Sequence, residues 1–182
     1  MRYFDLSDDV AVPGRWHLGE VRRADGTEPR LRAGMPLEPV EPLTVSVTHP
    51  GRVLEFSLTS FGIPIASAKL GEQIAALAPG DVQLVPVKIG GQEGMVALNA
   101  LRLIECVDEA QSIFSKWTER DHRRDLAGQY RQFVRLVLDS KAIPLDAHFF
   151  RVKGWKIALI VSEVMKQRME EAGCFGARFV SV

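Results

Sequence analysis

The stretch that decides the fold is FFRVKGWKIALIVSEVMKQRMEEAGCFGARFVSV, residues 149–182. Residues 155–161 are apolar and partly β-branched, which is typical of a buried strand. Ser162 stands where a helix N-cap belongs, because its hydroxyl can accept a hydrogen bond from a free backbone N–H of the first turn. Apolar residues then recur at helical spacing over residues 163–172, and alternation returns at residues 176–182. The stretch therefore predicts a strand, a capped helix and a final strand.

A second helix is predicted on the same grounds over residues 67–78. Ser67 is in the N-cap position, and Leu70, Ile74 and Leu77 fall on one face of the helix. Most of the remaining chain alternates in polarity or contains short apolar runs, which favours strands. These further strands are predicted near residues 1–6, 43–47, 52–58, 82–89, 95–107, 113–117, 129–138 and 148–152.

The predicted fold class is therefore α+β, with a mainly antiparallel sheet and two packed helices. Residues 129–138 also fit a helical period, but their β-branched and aromatic content favours a strand. Residues 7–42 are rich in proline, glycine and charge, which indicates a loop-rich N-terminal arm. A length of 182 residues suits one domain, so we interpret residues 1–182 as a single domain that contains this arm.

The formal net charge is zero, with 23 basic and 23 acidic residues. Residues 1–110 hold 10 basic and 15 acidic residues, a balance of −5, so residues 111–182 carry the compensating +5. Such a split can orient a molecule on a charged partner, although chance placement on a solvated surface is the commoner origin of it. A zero total argues against a dedicated nucleic-acid-binding protein.

The two cysteines, Cys106 and Cys174, do not make a disulfide framework, and we expect both to be reduced and buried. The first residues contain no apolar core segment and are acidic early, unlike a secretory signal. No apolar run approaches the roughly 18 residues that a membrane span needs. These features predict a cytoplasmic protein that does not bind membranes.

The sequence contains no established catalytic, phosphate-binding or metal-binding motif. Its histidines and cysteines lack the spacing of metal ligands. Ser162 could be drawn as a nucleophile, but its position before a helix favours an N-cap. Glu119, Asp121 and His122 could be drawn as an acid–base cluster, but a solvated charged loop is the commoner origin of such a run. The sequence thus predicts no catalytic residue, metal or cofactor.

Two stretches have the composition of binding surfaces. The arginines between residues 120 and 135, interleaved with Tyr130 and Phe133, resemble a nucleic-acid-binding strip, although carboxylates within the stretch dilute its charge. Residues 15–17 combine Arg, Trp and His in a loop-rich region, and Arg and Trp dominate interface hot spots. The alternative is that Trp16 simply anchors the arm in the core.

Several blocks, taken in order along the chain, carry a family resemblance. They are RYFDL at 2–6, PGRWHLG at 13–19, DVQLVPV at 81–87, LNALRLIECVD at 98–108, FR at 150–151, IVSE at 160–163, AG at 172–173 and GARF at 176–179. This set resembles the immunity-protein family of bacterial polymorphic toxin systems called immunity protein eleven, formerly a domain of unknown function. The resemblance implies a cytoplasmic, non-catalytic protein without cofactor that binds and neutralises a cognate toxin, for example a nuclease. The alternative is a small-molecule-binding or regulatory module without catalysis.

The resemblance assigns no functional residue, so we expect the toxin-binding surface in loops outside the blocks that mark the scaffold. Candidate regions are the arm, residues 15–42, and the charged loop, residues 119–126. If the toxin is basic, the acidic first 110 residues are the expected face. The candidate contact residues are Arg15, Trp16, His17, Glu28, Glu38, Glu41, Arg120, Arg123 and Arg124.

Overall fold

The computed structural model describes all residues, 1–182, and confirms the α+β class. Its helices are α1 (Ala68–Leu77) and α2 (Glu163–Glu171), each within one residue of the predicted bounds, with a short 3-10 helix at Arg124–Leu126. The strands are β1 (Tyr3–Asp8), β2 (His17–Arg22), β3 (Leu43–His49), β4 (Phe56–Leu58), β5 (Pro64–Ser67), β6 (Val82–Ile89), β7 (Gln92–Ala100), β8 (Leu103–Ile104), β9 (Ile113–Lys116), β10 (Tyr130–Arg135), β11 (Phe149–Val152), β12 (Trp155–Ser162) and β13 (Ala177–Ser181).

A five-stranded sheet in the order β13-β1-β12-β11-β8 contains the decisive C-terminal stretch. Its pairs are antiparallel except for β11 and β8. The first strand of the chain lies between β12 and β13, so both ends of the chain are tied into one sheet. The stretch at residues 149–182 therefore supplies three of the five strands.

A six-stranded sheet in the order β2-β3-β6-β7-β5-β4 closes on itself. A bridge joins Leu18 in β2 to Thr59 after β4, and the Ser60 N–H donates to the Leu18 carbonyl at 2.9 Å. This single bridge brings the two ends of the sheet, β2 and β4, together. Sixteen buried apolar residues, including Trp16, form the core inside this sheet.

The two helices and the space between the sheets form a second core. Helix α1 buries Leu70 and Ile74, and α2 buries Met165 and Met169. These side chains meet residues of both sheets in one apolar cluster. Burying a large apolar side chain contributes about 1.5–3 kcal/mol, so this cluster is the main cohesion between the sheets.

A separate two-stranded ribbon, β9 with β10, stands outside both sheets. Its aromatic side chains pack on one another, and the Phe133 ring lies 5.3 Å from the Trp155 ring at the start of β12. The structure thus confirms the predicted strand within residues 129–138, where the sequence pattern fitted both a helix and a strand.

The arm at residues 7–42 is less irregular than its composition indicates. It contains β2, a strand that we did not predict, and the structure also adds β5 at residues 64–67. Strand β2 pairs with β3 through two shifts of register, which obscures the alternation that normally identifies a strand. Neither helix has the length and apolar content needed to span a membrane.

We predict that Ser162→Ala destabilises the protein more than Ser67→Ala. Both hydroxyls cap a helix, Ser162 toward the Met165 N–H at 3.1 Å and Ser67 toward the Leu70 N–H at 3.3 Å. Loss of a cap costs about 1 kcal/mol. Ser162 is fully buried and also bonds His148 Nδ1 at 2.8 Å, so its loss adds an unsatisfied group that costs about 1–3 kcal/mol. The second bond of Ser67, to the Glu55 carboxylate, is exposed, and water can replace it.

Denaturant unfolding of both variants measures this difference directly. Equal losses of unfolding free energy in the two serine variants would contradict a second structural role for Ser162.

Candidate interaction surface

The start of the arm is held down by two buried side chains. Trp16 is 3% exposed, and its indole N–H donates to Ser57 Oγ at 2.8 Å. Arg15 is 6% exposed and pairs with the Asp8 carboxylate at 2.8 Å. The burial leaves His17 as the only side chain of this triplet on the surface, where its ring contacts the His49 ring at 5.6 Å.

A groove of about 810 Å³ lies between the arm and the loop that joins β9 to β10. Residues 28–33 of the arm form one side, and Leu126 with Gln129 form the other. Ile63 and residues 156–157 complete the lining. We call this the arm–ribbon groove. It brings together parts of the two regions, arm and charged loop, that the sequence nominated separately.

The groove carries an excess of positive charge. Arg30, Arg32 and Lys156 line it, and Glu28 is its only carboxylate. None of these four side chains forms an ion pair within the protein. Unpaired charges on a concave surface keep their full capacity to bind a charged partner.

A further cation, Arg151, lies beneath the groove. It is fully buried and donates to the Lys156 carbonyl at 2.7 Å and to the Gly62 carbonyl at 2.7 Å. Its Nε has no partner. Burial lowers the pKa of Arg151 to about 10, and the nearby Arg32 charge acts in the same direction. The guanidinium therefore remains charged at neutral pH.

Asp5 is the carboxylate that faces this buried cation. Burial raises the pKa of Asp5 to about 6, against the lowering effects of a hydrogen bond from the Leu159 N–H and of the Arg151 charge. Asp5 thus titrates close to the physiological range.

The acidic candidates Glu28, Glu38 and Glu41 are less free of neighbouring opposite charges than the cations of the groove are. Glu41 pairs with Arg23 at 3.0 Å, and Glu28 shares the groove with arginines. Glu38 is exposed and forms no ion pair. An acidic face built on these three residues would therefore present less negative charge than their number indicates.

The charged loop is stabilised by its own contacts. Arg120, Arg123 and Arg124 are exposed, and Arg123 pairs with Asp125 at 2.7 Å. Asp121 accepts from the Thr118 N–H at 2.7 Å and hydroxyl at 2.9 Å, and these bonds hold the pKa of Asp121 below its ordinary value. Such contacts are those of a solvated, ordered loop.

Ser162 and His148 form the one hydrogen-bonded Ser–His pair that could suggest nucleophilic chemistry. The Ser162 hydroxyl is fully buried and accepts from the α2 backbone, so no substrate reaches it. No group of three or more His, Cys, Asp or Glu side chains is placed to hold a metal ion.

Sequence reasoning named the arm that contains Arg30 and Arg32 but neither arginine, and it missed Lys156 and Ile157 altogether. These residues come from separate parts of the chain and belong to no motif. The only available signal was that no carboxylate lies close to Lys156 in the sequence. Many ordinary surface lysines share this property, so it does not identify a site.

Comparison with known proteins gives one family. A family model described as "Immunity protein family (Imm11)" matches residues 2–182. No curated protein matches the chain. The family match spans both sheets, both helices and the ribbon, so it applies to the whole fold described above.

We predict that the stability of the protein falls as pH rises from about 4 to about 6.5. The folded state binds a proton on Asp5 up to a pKa of about 6, whereas the unfolded chain releases it near 3.8. Stability from this group is therefore greatest below pH 3.8 and lost as pH rises through 6, by up to about 3 kcal/mol.

Unfolding free energies of wild type and Asp5→Asn across this range test the prediction, since the variant should lack most of the fall. Asp25→Asn, at an exposed residue, is the matched control and should retain it. An Asp5 carboxyl that titrates near pH 4 by NMR would contradict the assignment.

Proposed function

We propose that this chain, which belongs to the Imm11 immunity protein family, binds a cognate bacterial toxin and neutralises it as a stoichiometric complex. The family match over residues 2–182 is the observation that carries the proposal. Membership of an immunity family indicates protection against a toxin in general. Direct binding is the simplest way for a protein of this kind to provide it.

The size of the molecule is sufficient for such a complex. A stable protein–protein interface takes about 800 Å² from each partner, roughly a twelfth of the 9842 Å² accessible surface of this chain. The arm–ribbon groove and the exposed residues of the arm and the charged loop offer surface for such an interface. Of the candidate contact residues, His17, Glu28, Glu38, Arg120, Arg123 and Arg124 are exposed.

The positions of the family blocks support a separation between residues that maintain the fold and residues that bind the toxin. Residues that line the groove lie at 28–33, 63, 126, 129 and 156–157, and all fall outside the blocks that carried the resemblance. The blocks instead contain residues such as Trp16 and Arg151, which hold the fold together. A shared scaffold with a separate recognition surface is how specificity among related binders is built.

We further propose that the protein acts in the cytoplasm, without catalysis or cofactor, on an intracellularly acting toxin such as a nuclease. The second candidate function is a small-molecule-binding or regulatory module. The groove volume favours it, since small-molecule sites span about 300–1,000 Å³. That function predicts a ligand-dependent thermal shift in the absence of any protein partner.

Co-expression tests the leading proposal. A toxin-domain protein encoded by the adjacent gene is the partner to test first: it should kill a heterologous host, and co-expression of the chain should restore growth. The two purified proteins should form a complex of defined stoichiometry in size-exclusion chromatography with light scattering. Restored growth without a complex would contradict neutralisation by binding.

Single substitutions of His122 and Ser162 separate binding from catalysis in the same assay. We expect His122→Ala to restore growth as wild type does, and the less stable Ser162→Ala to do so at a temperature at which it is folded, because neither side chain is needed for a binding mechanism. Lost protection in a variant that remains folded by circular dichroism would instead indicate an enzyme.

A further inference from the structure

We propose that the arm–ribbon groove binds an acidic segment of the partner, with carboxylates beside at least one apolar side chain. This inference rests on the proposed function and names the chemistry of the surface that the toxin presents. It reverses the sign expected from the sequence, where the acidic half of the chain was the predicted face.

Charge is the first argument. The groove presents Arg30, Arg32 and Lys156 without internal partners, against the single carboxylate of Glu28. The Arg151 charge below is offset by the Asp5 carboxylate that faces it, so the excess comes from the three lining cations. In a molecule of zero net charge, this local excess selects a negative partner.

The type of cation is the second argument. Two of the three unpaired cations are arginines, whose planar guanidinium binds a carboxylate through two parallel hydrogen bonds. Arg30 and Arg32 flank the buried Leu31, which fixes the backbone between them. Both arginines therefore start from an anchored backbone, which lowers the entropy lost on binding.

Apolar lining is the third argument. Ile157 is 63% exposed, and Leu126 and Ile63 line the same groove. An exposed isoleucine within a basic groove offers contact area that a purely ionic ligand would not use. An apolar side chain between carboxylates fits both features.

The lining also favours protein over nucleic acid. No aromatic side chain lines the groove, so it lacks the stacking platforms that single-stranded nucleic acids use. The ring of Phe133 instead packs against those of Tyr130 and Trp155. Glu28 would repel a phosphate backbone, whereas a peptide can place an N–H donor against it.

Charge reversal in the groove tests the inference. The variant Arg30→Glu, Arg32→Glu, Lys156→Glu is compared with Lys69→Glu, Lys88→Glu, Arg178→Glu, which makes the same change in net charge at exposed, unpaired residues outside the groove. We expect the groove variant to weaken toxin binding by at least about 100-fold and the control by less than about threefold. The toxin affinity of wild type should also fall with added salt, and that of the groove variant should not.

A second measurement needs no toxin. A labelled peptide of alternating Glu and Leu and a single-stranded oligonucleotide of equal length are titrated at low ionic strength by fluorescence anisotropy. We expect the peptide to bind wild type more tightly than the oligonucleotide does, and the groove variant to lose about tenfold or more of that affinity.

The outcomes separate the two proposals. Equal toxin affinities of the groove variant and the control variant would overturn the groove assignment and leave the proposed function standing. Absence of any toxin complex with wild type would overturn the proposed function, while the peptide titration still decides the groove chemistry. Tighter binding of the oligonucleotide would overturn the acidic-peptide assignment in favour of nucleic acid.

Discussion

The buried guanidinium of Arg151 is the interaction on which the arrangement of the two sheets depends. Arg151 belongs to the five-stranded sheet, yet one of its N–H groups donates to the Gly62 carbonyl in the loop before β5 of the other sheet. A buried arginine cannot shed its proton at neutral pH, so its donors must find acceptors or impose a large desolvation cost. The bond to Gly62 therefore exists only when both sheets stand in their native relation.

Two carboxylates, the buried Asp81 and the half-buried Asp8, also make hydrogen bonds between the sheets. Asp81 precedes β6 of the six-stranded sheet and accepts from the backbone N–H groups of His148 and Phe149, at the start of β11. Asp8 in β1 accepts from the Leu58 N–H of β4 at 2.6 Å. Apolar packing between the sheets supplies most of the cohesion but tolerates alternative arrangements. The three charged groups favour one orientation, because a shifted sheet would break the directed hydrogen bonds that each of them makes across to the other sheet.

Local physics explains what the sequence could predict. Both helices were placed within one residue because an apolar face at helical spacing and a serine cap act over adjacent turns. Strand β2 was missed because shifts of register interrupt its pairing, and β5 because it is short and begins at Pro64. Trp16 illustrates a different limit. A tryptophan in a loop-rich arm has the same composition whether it faces a partner or the core, and only the bond to Ser57 distinguishes the two.

The candidate site could not be predicted from local sequence, because its positive charge depends on which cations the fold leaves without a neighbouring carboxylate. Twenty-three cations and twenty-three anions cancel in the sequence, and folding decides which of them neutralise each other. Glu41 is matched by Arg23, whereas Arg30 and Arg32 receive no carboxylate. Residues 1–110, which carry the net negative charge, thus contribute two arginines but only one glutamate to the groove. The groove also adjoins the junction that Arg151 fixes, since Lys156 lines it and Ile63 follows Gly62. The surface proposed for recognition therefore adjoins a hydrogen-bonded junction of the scaffold, and an ordered surface loses less conformational entropy when a complex forms.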